Sequence, residues 1–368
     1  MRSHLFSPIN IRNTSLKNRI VFAPTSMGYG IKKNLEKLIE ISTKDVGLII
    51  IGDVGVRKGI YDGMFALDND ENIELFKPLV DEVHKNGSKI SAQLFHPEYN
   101  LLKVKKLIGE IELTASARRK LMQEIMLKYA NDLSIDEIEE INNLYVKSAQ
   151  RAQQAGFDMI QVHGDHLLGT FSSSILNKRT DKYGQDLVGR ARLSLEIVKN
   201  IKANCPDLII DYKLTIRKEN PNFGKGGPSE SEIEFFVKEL EKAGVDSFHV
   251  ALANHGAVED TIPSKEHLYF KDEGCFLELA QEVKKYTKLP VCGVGKLQRP
   301  EILDNIIEKN IVDLVGMSRQ LIADSNWAKK TLNNQEESIN YCQYCNTKCL
   351  GGLIKKTEFG CALHLNEQ

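Results

Sequence analysis

The feature that most constrains this chain is a repeated alternation. Short apolar runs of strand length recur along it, and most are followed by a stretch of helical periodicity. Eight such runs stand at residues 19–23, 47–52, 89–94, 157–163, 208–214, 246–250, 289–293 and 312–317. Residues 230–243 and 300–309 exemplify the amphipathic helices that follow them. A strand that is apolar throughout belongs in a parallel sheet covered on both faces. Eight βα units in about 330 residues predict an α/β fold, the (β/α)8 TIM barrel, over residues 1–335. A doubly wound sheet is the alternative, and it wants a glycine-rich dinucleotide turn after an early strand. Gly293-Val294-Gly295 has Gln298 where the third glycine belongs. Gly224-Lys225-Gly226-Gly227 follows no strand and lacks the Lys-Ser/Thr of a phosphate loop.

A barrel of this kind carries its chemistry just past the C-terminal ends of its strands. The fourth run leads into His163-Gly164-Asp165-His166 and a loop bearing Asn177, Arg179, Asp181 and Tyr183. Two histidines three apart can present two donors, or two ligands, to one bound molecule; they can equally satisfy buried backbone groups. The first run ends in Pro24-Thr25-Ser26-Met27-Gly28, which suits either a flat ligand approached closely or an ordinary βα turn. Gln93, at the end of the third, can donate and accept at one ring edge, or sit satisfied in the core. The last two runs end in Gly293, Gly295 and Lys296 and in Gly316-Met317-Ser318-Arg319. Glycine amides with a Lys and an Arg suit a phosphate monoester, on a cofactor or on a substrate. Residues 100–131, rich in Lys, Arg and Glu, read as a partly helical excursion over the barrel mouth, with 102–106 a solvated face. Ser134 with Glu137 predicts a capping box.

Lys+Arg 49 against Asp+Glu 50 leaves no electrostatic case for nucleic acid or an anionic membrane. No apolar run approaches the roughly 20 residues of a spanning helix, and the first ten residues lack a signal peptide's apolar core, so a cytoplasmic location is expected. Four of the seven cysteines crowd into the end of the chain, as Cys342, Cys345, Cys349 and Cys361. The spacing C-x2-C-x3-C-x11-C suits a [4Fe–4S] cube better than zinc, whose sites usually pair two C-x2-C knuckles; reduced structural cysteines are the third reading. Residues 336–368 are therefore expected to form a cluster-binding tail. Cys205, Cys275 and Cys292 are scattered and read as plain buried thiols.

Several stretches, taken in order, resemble one family: Leu16-Lys17-Asn18-Arg19-Ile20-Val21-Phe22-Ala23-Pro24, Gln93-Leu94-Phe95-His96, Ala155-Gly156-Phe157-Asp158, Asn177-Lys178-Arg179-Thr180-Asp181-Lys182-Tyr183-Gly184 and Gly316-Met317-Ser318-Arg319. The chain resembles the Old Yellow Enzyme family of FMN-dependent, NAD(P)H-linked oxidoreductases from about Leu5 to Cys361. Within it, the cysteine spacing, with Asn346 and Leu350 beside the cysteines, is similar to the iron–sulfur branch of 2,4-dienoyl-CoA reductase and trimethylamine dehydrogenase. The resemblance implies FMN at the barrel mouth, with Pro24, Thr25 and Ser26 along its ring and Gln93 at the pyrimidine edge. It also implies Gly293, Gly295, Lys296, Ser318 and Arg319 at the phosphate, and a [4Fe–4S] cluster on Cys342, Cys345, Cys349 and Cys361.

The chain departs from that family at three points. Lys213 stands where the family carries an Arg near flavin N1, a point charge without the guanidinium fork. The family's His-Gly-Ala-His-Gly-Tyr-Leu-Leu motif becomes His163-Gly164-Asp165-His166-Leu167-Leu168, which removes the proton-donating Tyr. His166, Tyr29 or His255 is then the expected substitute, and Asp165 is expected to raise the His166 pKa or to select a cationic substrate. Relatives in this branch continue into FAD- and NAD(P)H-binding domains, whereas this sequence stops at Gln368, so a separate redox protein or a missing domain is the expected electron source. The function so implied is hydride exchange between flavin N5 and a small organic substrate. Reduction of an activated C=C leads, with His163, His166 and Asp165 as the catalytic residues and single electrons relayed through the cluster. Amine oxidation and a degenerate electron-transfer subunit are the alternatives.

Overall fold

The computed structural model describes residues 2–58, 64–98, 115–256, 258–355 and 357–364. An N-terminal hairpin pairs β1 (Ile9–Ile11) with β2 (Thr14–Leu16). The strands β3 (Ile20–Thr25), β4 (Leu48–Gly55), β5 (Lys89–Phe95), β6 (Met159–His163), β7 (Ile209–Ile216), β8 (Ser247–Leu252), β9 (Val291–Gly293) and β10 (Leu314–Met317) then pair in parallel and in sequence order. β10 closes on β3, which completes the (β/α)8 barrel.

Side chains alternate across each strand with a period of two, and here the alternation builds two cores. Ile49 and Ile51 of β4, Ile160 and Val162 of β6, and Phe248 and Val250 of β8 face outward, into the layer shared with the helices. The intervening residues face the barrel axis. At the strand starts these are Val21, Leu48, Ile50, Met159, Ile209 and Leu314, and Ile11 and Leu16 of the hairpin pack on them and close the bottom of the barrel. Burying each such side chain is worth about 1.5–3 kcal/mol. One layer up the interior turns polar, where Gln93, Gln161, Asp211 and Ser247 stand opposite one another across successive strands. The next layer holds His163, Lys213 and His249 in the same register. An apolar base carries a polar mouth, so the strand tops are where chemistry is presented.

The helices follow their local signals. The helix Ile135–Gln154 opens on the predicted capping box: the Glu137 N–H donates to Ser134 Oγ at 3.2 Å and the Ser134 N–H to Glu137 Oε2 at 2.8 Å, a device worth about 1 kcal/mol. The helix expected at 230–243 begins as a 3-10 turn, Glu230–Glu232, and continues as Ile233–Ala243 to a left-handed Gly244. Of the excursion expected at 100–131, residues 100–114, including the face at 102–106, lie outside the described residues. Its remainder is in the helix Ala115–Asp132, whose Tyr129 ring stacks on His96 at 6.1 Å.

Candidate active site at the barrel mouth

A cavity of ≈ 380 Å³ opens over the strand tops. Pro24, Thr25 and Ser26 form one wall, and Gln93, His163, Asp165, His166 and Lys213 the base and an adjoining wall. Gly295, Lys296, Ser318 and Arg319 line the end built by the loops after β9 and β10. Gly293 stays outside the lining: a Cβ there would stand 2.6 Å from the Leu277 side chain, so this glycine lets β9 pack closely against a helix.

The base is a hydrogen-bonded layer. Gln93 Nε2 donates to Gln161 Oε1 at 2.5 Å, Gln161 Nε2 donates to Asp211 Oδ2 at 2.5 Å, and Ser247 Oγ donates to Asp211 Oδ1 at 2.6 Å. The Asp53 N–H donates to Gln93 Oε1 at 3.2 Å. One N–H and one lone pair of Gln93 remain for a ligand. Above this layer, burial lowers the Lys213 pKa against the opposing pull of Asp165, Asp53 and Asp211. Burial, with Lys213 close by, holds His163 well below the ordinary histidine range and His249 at about 3. Both imidazoles are thus neutral. Nδ1 of each is buried without a partner among the described residues, as expected of atoms that face a ligand.

Asp165 does not pair with the His166 ring. Its Oδ1 accepts the His166 N–H at 2.9 Å and caps the short helix His166–Ser172, and the imidazole it faces is His255, at 3.9 Å. His166 is held left-handed at φ 51, with its ring edge-on to His163 at 5.1 Å. His255 stands behind the lining, 3.4 Å from the wholly buried Glu98. Burial works against its charge, but Glu98, Asp165 and the His166 carbonyl outweigh it and raise its pKa. Tyr29 is not at this mouth; it lies in a neighbouring groove, edge-on to Phe359 at 5.1 Å.

The second half of the loop after β6 is scaffolding. Arg179 donates to the carbonyls of Ala130 at 3.0 Å and Leu133 at 2.7 Å and pairs with Asp181. Asn177 Nδ2 donates to the carbonyls of Phe171 and Tyr183. Lys296 also differs from the simple picture of a phosphate-binding ammonium. Its Nζ donates to the carbonyls of Lys271 at 2.6 Å, Ser264 at 3.2 Å and Phe270 at 3.3 Å.

The four C-terminal cysteines come together. Cys342, Cys345, Cys349 and Cys361 all line a second cavity, of ≈ 240 Å³. Among the described residues, the only three His, Cys, Asp or Glu ligand atoms all within 4.8 Å of one another belong to Asp53, His163 and His166, where the charge of Lys213 disfavours a cation. The thiols therefore ring a space instead of converging on one point. Tetrahedral zinc needs sulfurs about 3.8 Å apart, and a cubane is gripped from a wider ring.

The model of the NADH:flavin oxidoreductase / NADH oxidase family matches residues 4–338. The chain belongs to that family. It is a flavin-dependent oxidoreductase. The chain is 40% identical over 366 residues to a bilirubin reductase of Clostridium symbiosum (strain WAL-14163), covering 98% of this chain and 97% of that one. A bilirubin reductase of Mediterraneibacter gnavus (strain CC55_001C) is 33% identical, with 98% of this chain and 56% of that one covered. Among solved structures, a 2-naphthoyl-CoA reductase in complex with 2-naphthoyl-CoA shares the fold at a TM-score of 0.81 and 24% identity, over 99% of this chain and 57% of that one. The chain thus spans nearly all of one relative and little more than half of the other two.

The barrel mouth fits the flavin that this family uses. It offers a turn for the ring to lie along, one free N–H and one lone pair on Gln93, a cation at Lys213, and unpartnered nitrogens on His163 and His249. Sequence reasoning missed Asp53, His249 and Glu98. His249 and Asp53 were detectable as polar residues inside apolar strands; Glu98 follows β5 in a loop and carries no such signal.

Proposed function

We propose that this enzyme is an FMN- and [4Fe–4S]-dependent reductase that adds hydrogen across an activated C=C bond of a conjugated substrate, with bilirubin the first candidate. The near full-length likeness to a bilirubin reductase carries the reading. FMN, when bound along Pro24–Ser26 and Gln93, would supply the hydride. The chain's own residues then have three tasks. Lys213 sets positive charge at the ring site. Neutral His163 presents an imidazole to a substrate polar group. Asp165 sits on the cavity wall with His255, whose pKa is raised, behind it, so the proton that must follow hydride addition leaves the His255 imidazolium and passes through the Asp165 carboxylate. The gain of one hydride and one proton saturates the double bond, and two electrons must be restored from NADH or from a one-electron donor protein.

The cysteine cavity supports the second cofactor. Cys349, Arg319 and Ile322 line both cavities, so one layer of residues separates them. A cluster held by the four cysteines would pass single electrons across that layer. The test is anaerobic protein carrying counted flavin, iron and sulfide, mixed with bilirubin, other activated alkenes and amines, with NADH or a reduced viologen as donor. Alkene-dependent reoxidation of reduced flavin is expected. Turnover of amines alone, or no flavin after reconstitution, sinks the reading.

A further inference from the structure

The loop that carries the first cysteines also reaches the phosphate end of the flavin cavity. Tyr344 lies between Cys342 and Cys345, and Asn346 directly follows Cys345. Tyr344 is buried, and its hydroxyl donates to the Lys296 carbonyl at 2.5 Å. The Lys296 ammonium lies 4.9 Å from the centre of its ring and the Arg319 guanidinium 4.8 Å. Asn346 joins the same cluster: its Oδ1 accepts from Arg319 Nη1 at 2.9 Å, and its Nδ2 donates to the Ile262 carbonyl at 2.8 Å. The Lys265 N–H donates to the Tyr344 carbonyl at 3.0 Å.

Two further observations give this cluster a purpose. Tyr344 and Asn346 are both left-handed, at φ 49 and φ 55. A tyrosine keeps that conformation only where its surroundings hold it there. In addition, neither Lys296 nor Arg319 has a carboxylate partner among the described residues, although both line the cavity. Lys296 spends its three N–H groups on backbone carbonyls, so the Arg319 guanidinium is the charge on this ring left to meet an anion.

We propose that Tyr344 and Asn346 are positioning residues for the flavin phosphate. They hold Arg319 and the Gly295–Lys296 turn in place, and because they sit among the cluster cysteines they couple loading of the cysteine site to retention of FMN. This rests on the two-cofactor reading above. Linkage is reciprocal, so bound FMN should tighten cluster binding by the same factor by which the cluster tightens FMN.

The experiment titrates the full chain, stripped of flavin, with FMN and with riboflavin, which lacks the phosphate, and follows quenching of flavin fluorescence. Tyr344→Leu and Asn346→Ala are each expected to weaken FMN about tenfold and riboflavin less than threefold. Tyr344→Phe, which keeps the ring, should recover most of the loss. Removing the cluster from the wild-type protein should act in the same direction. Melting curves report whether each variant is folded. Equal losses for FMN and riboflavin, or no loss of FMN in folded variants, overturns the proposal while the two-cofactor enzyme stands. A wild-type protein that takes up flavin but no cluster overturns both.

Discussion

Oδ1 of Asp165 lies 3.9 Å from Nε2 of His255, with Asp165 lining the barrel-mouth cavity and His255 behind it. The same Nε2 is 3.4 Å from Glu98, so one imidazole serves two buried carboxylates. The raised His255 pKa means that its charge, and the stability drawn from that charge, are full at low pH and are lost as pH rises through the folded-state value above 6.5. Lys213 is the other cation acting on Asp165, and burial lowers its pKa.

Alkene reduction should therefore fall as pH rises through the His255 pKa. His255→Gln should lower turnover by about 100-fold and abolish that limb of the pH profile, while reduction of the flavin by NADH stays near wild type. Stopped-flow traces of the two half-reactions separate these effects. An unchanged pH limb in the variant would remove His255 from proton delivery.

Asp211 is pushed up to about 6 by burial, against the hydrogen bonds from Gln161 and Ser247 and the charge of Lys213. Its carboxyl is more easily buried neutral. Its contribution to stability therefore declines as pH rises from about 4 to about 6, by on the order of 3 kcal/mol. Asp211→Asn is neutral throughout, and the Ser247 hydroxyl can turn to accept from the new amide. Melting temperatures of the two proteins should diverge across that window in favour of the variant; parallel curves would refute the assignment.

Gly164 separates the two histidines from β7. A Cβ there would stand 2.5 Å from the Lys213 carbonyl oxygen and 2.6 Å from the Tyr212 ring. Gly164→Ala should destabilise the fold by about 1–3 kcal/mol and weaken flavin binding, because the displaced segment carries Lys213. Gly30→Ala, with nothing within 4 Å, is the control and should be close to neutral in denaturant melts.

Iron analysis tests the cysteine ring. Anaerobic protein should hold about four iron and four acid-labile sulfides per flavin. Cys361→Ala should lose them, and Cys205→Ala, buried at the end of the helix Leu187–Asn204 far from the ring in sequence, should keep them. One equivalent of zinc in place of iron would show that the ring closes around a single metal.

The barrel was legible in the sequence because strand and helix periodicities are local. In Ile209–Ile216 the alternation alone puts Asp211, Lys213 and Thr215 on one face, while the pairing of β6 with β7 sets His163 beside Lys213. The cysteine spacing was legible for the same reason. The partners of the polar groups were not. Arg179 and Asp181 look like site residues until their bonds to the carbonyls of Ala130 and Leu133 are seen. Lys296 looks free for phosphate until three carbonyls from the preceding loop surround it. Asp165 looks paired with its neighbour His166, and faces His255 instead.

The sequence by itself determined the order of strands and the close spacing of the C-terminal cysteines, since each depends on spacing along a few consecutive residues. Only the tertiary structure decided which charges remain available at the mouth, and that one layer of residues divides the barrel-mouth cavity from the cysteine-lined one. A hydrogen bond or a shared wall joins groups tens of residues apart, and packing between loops settles which of them meet.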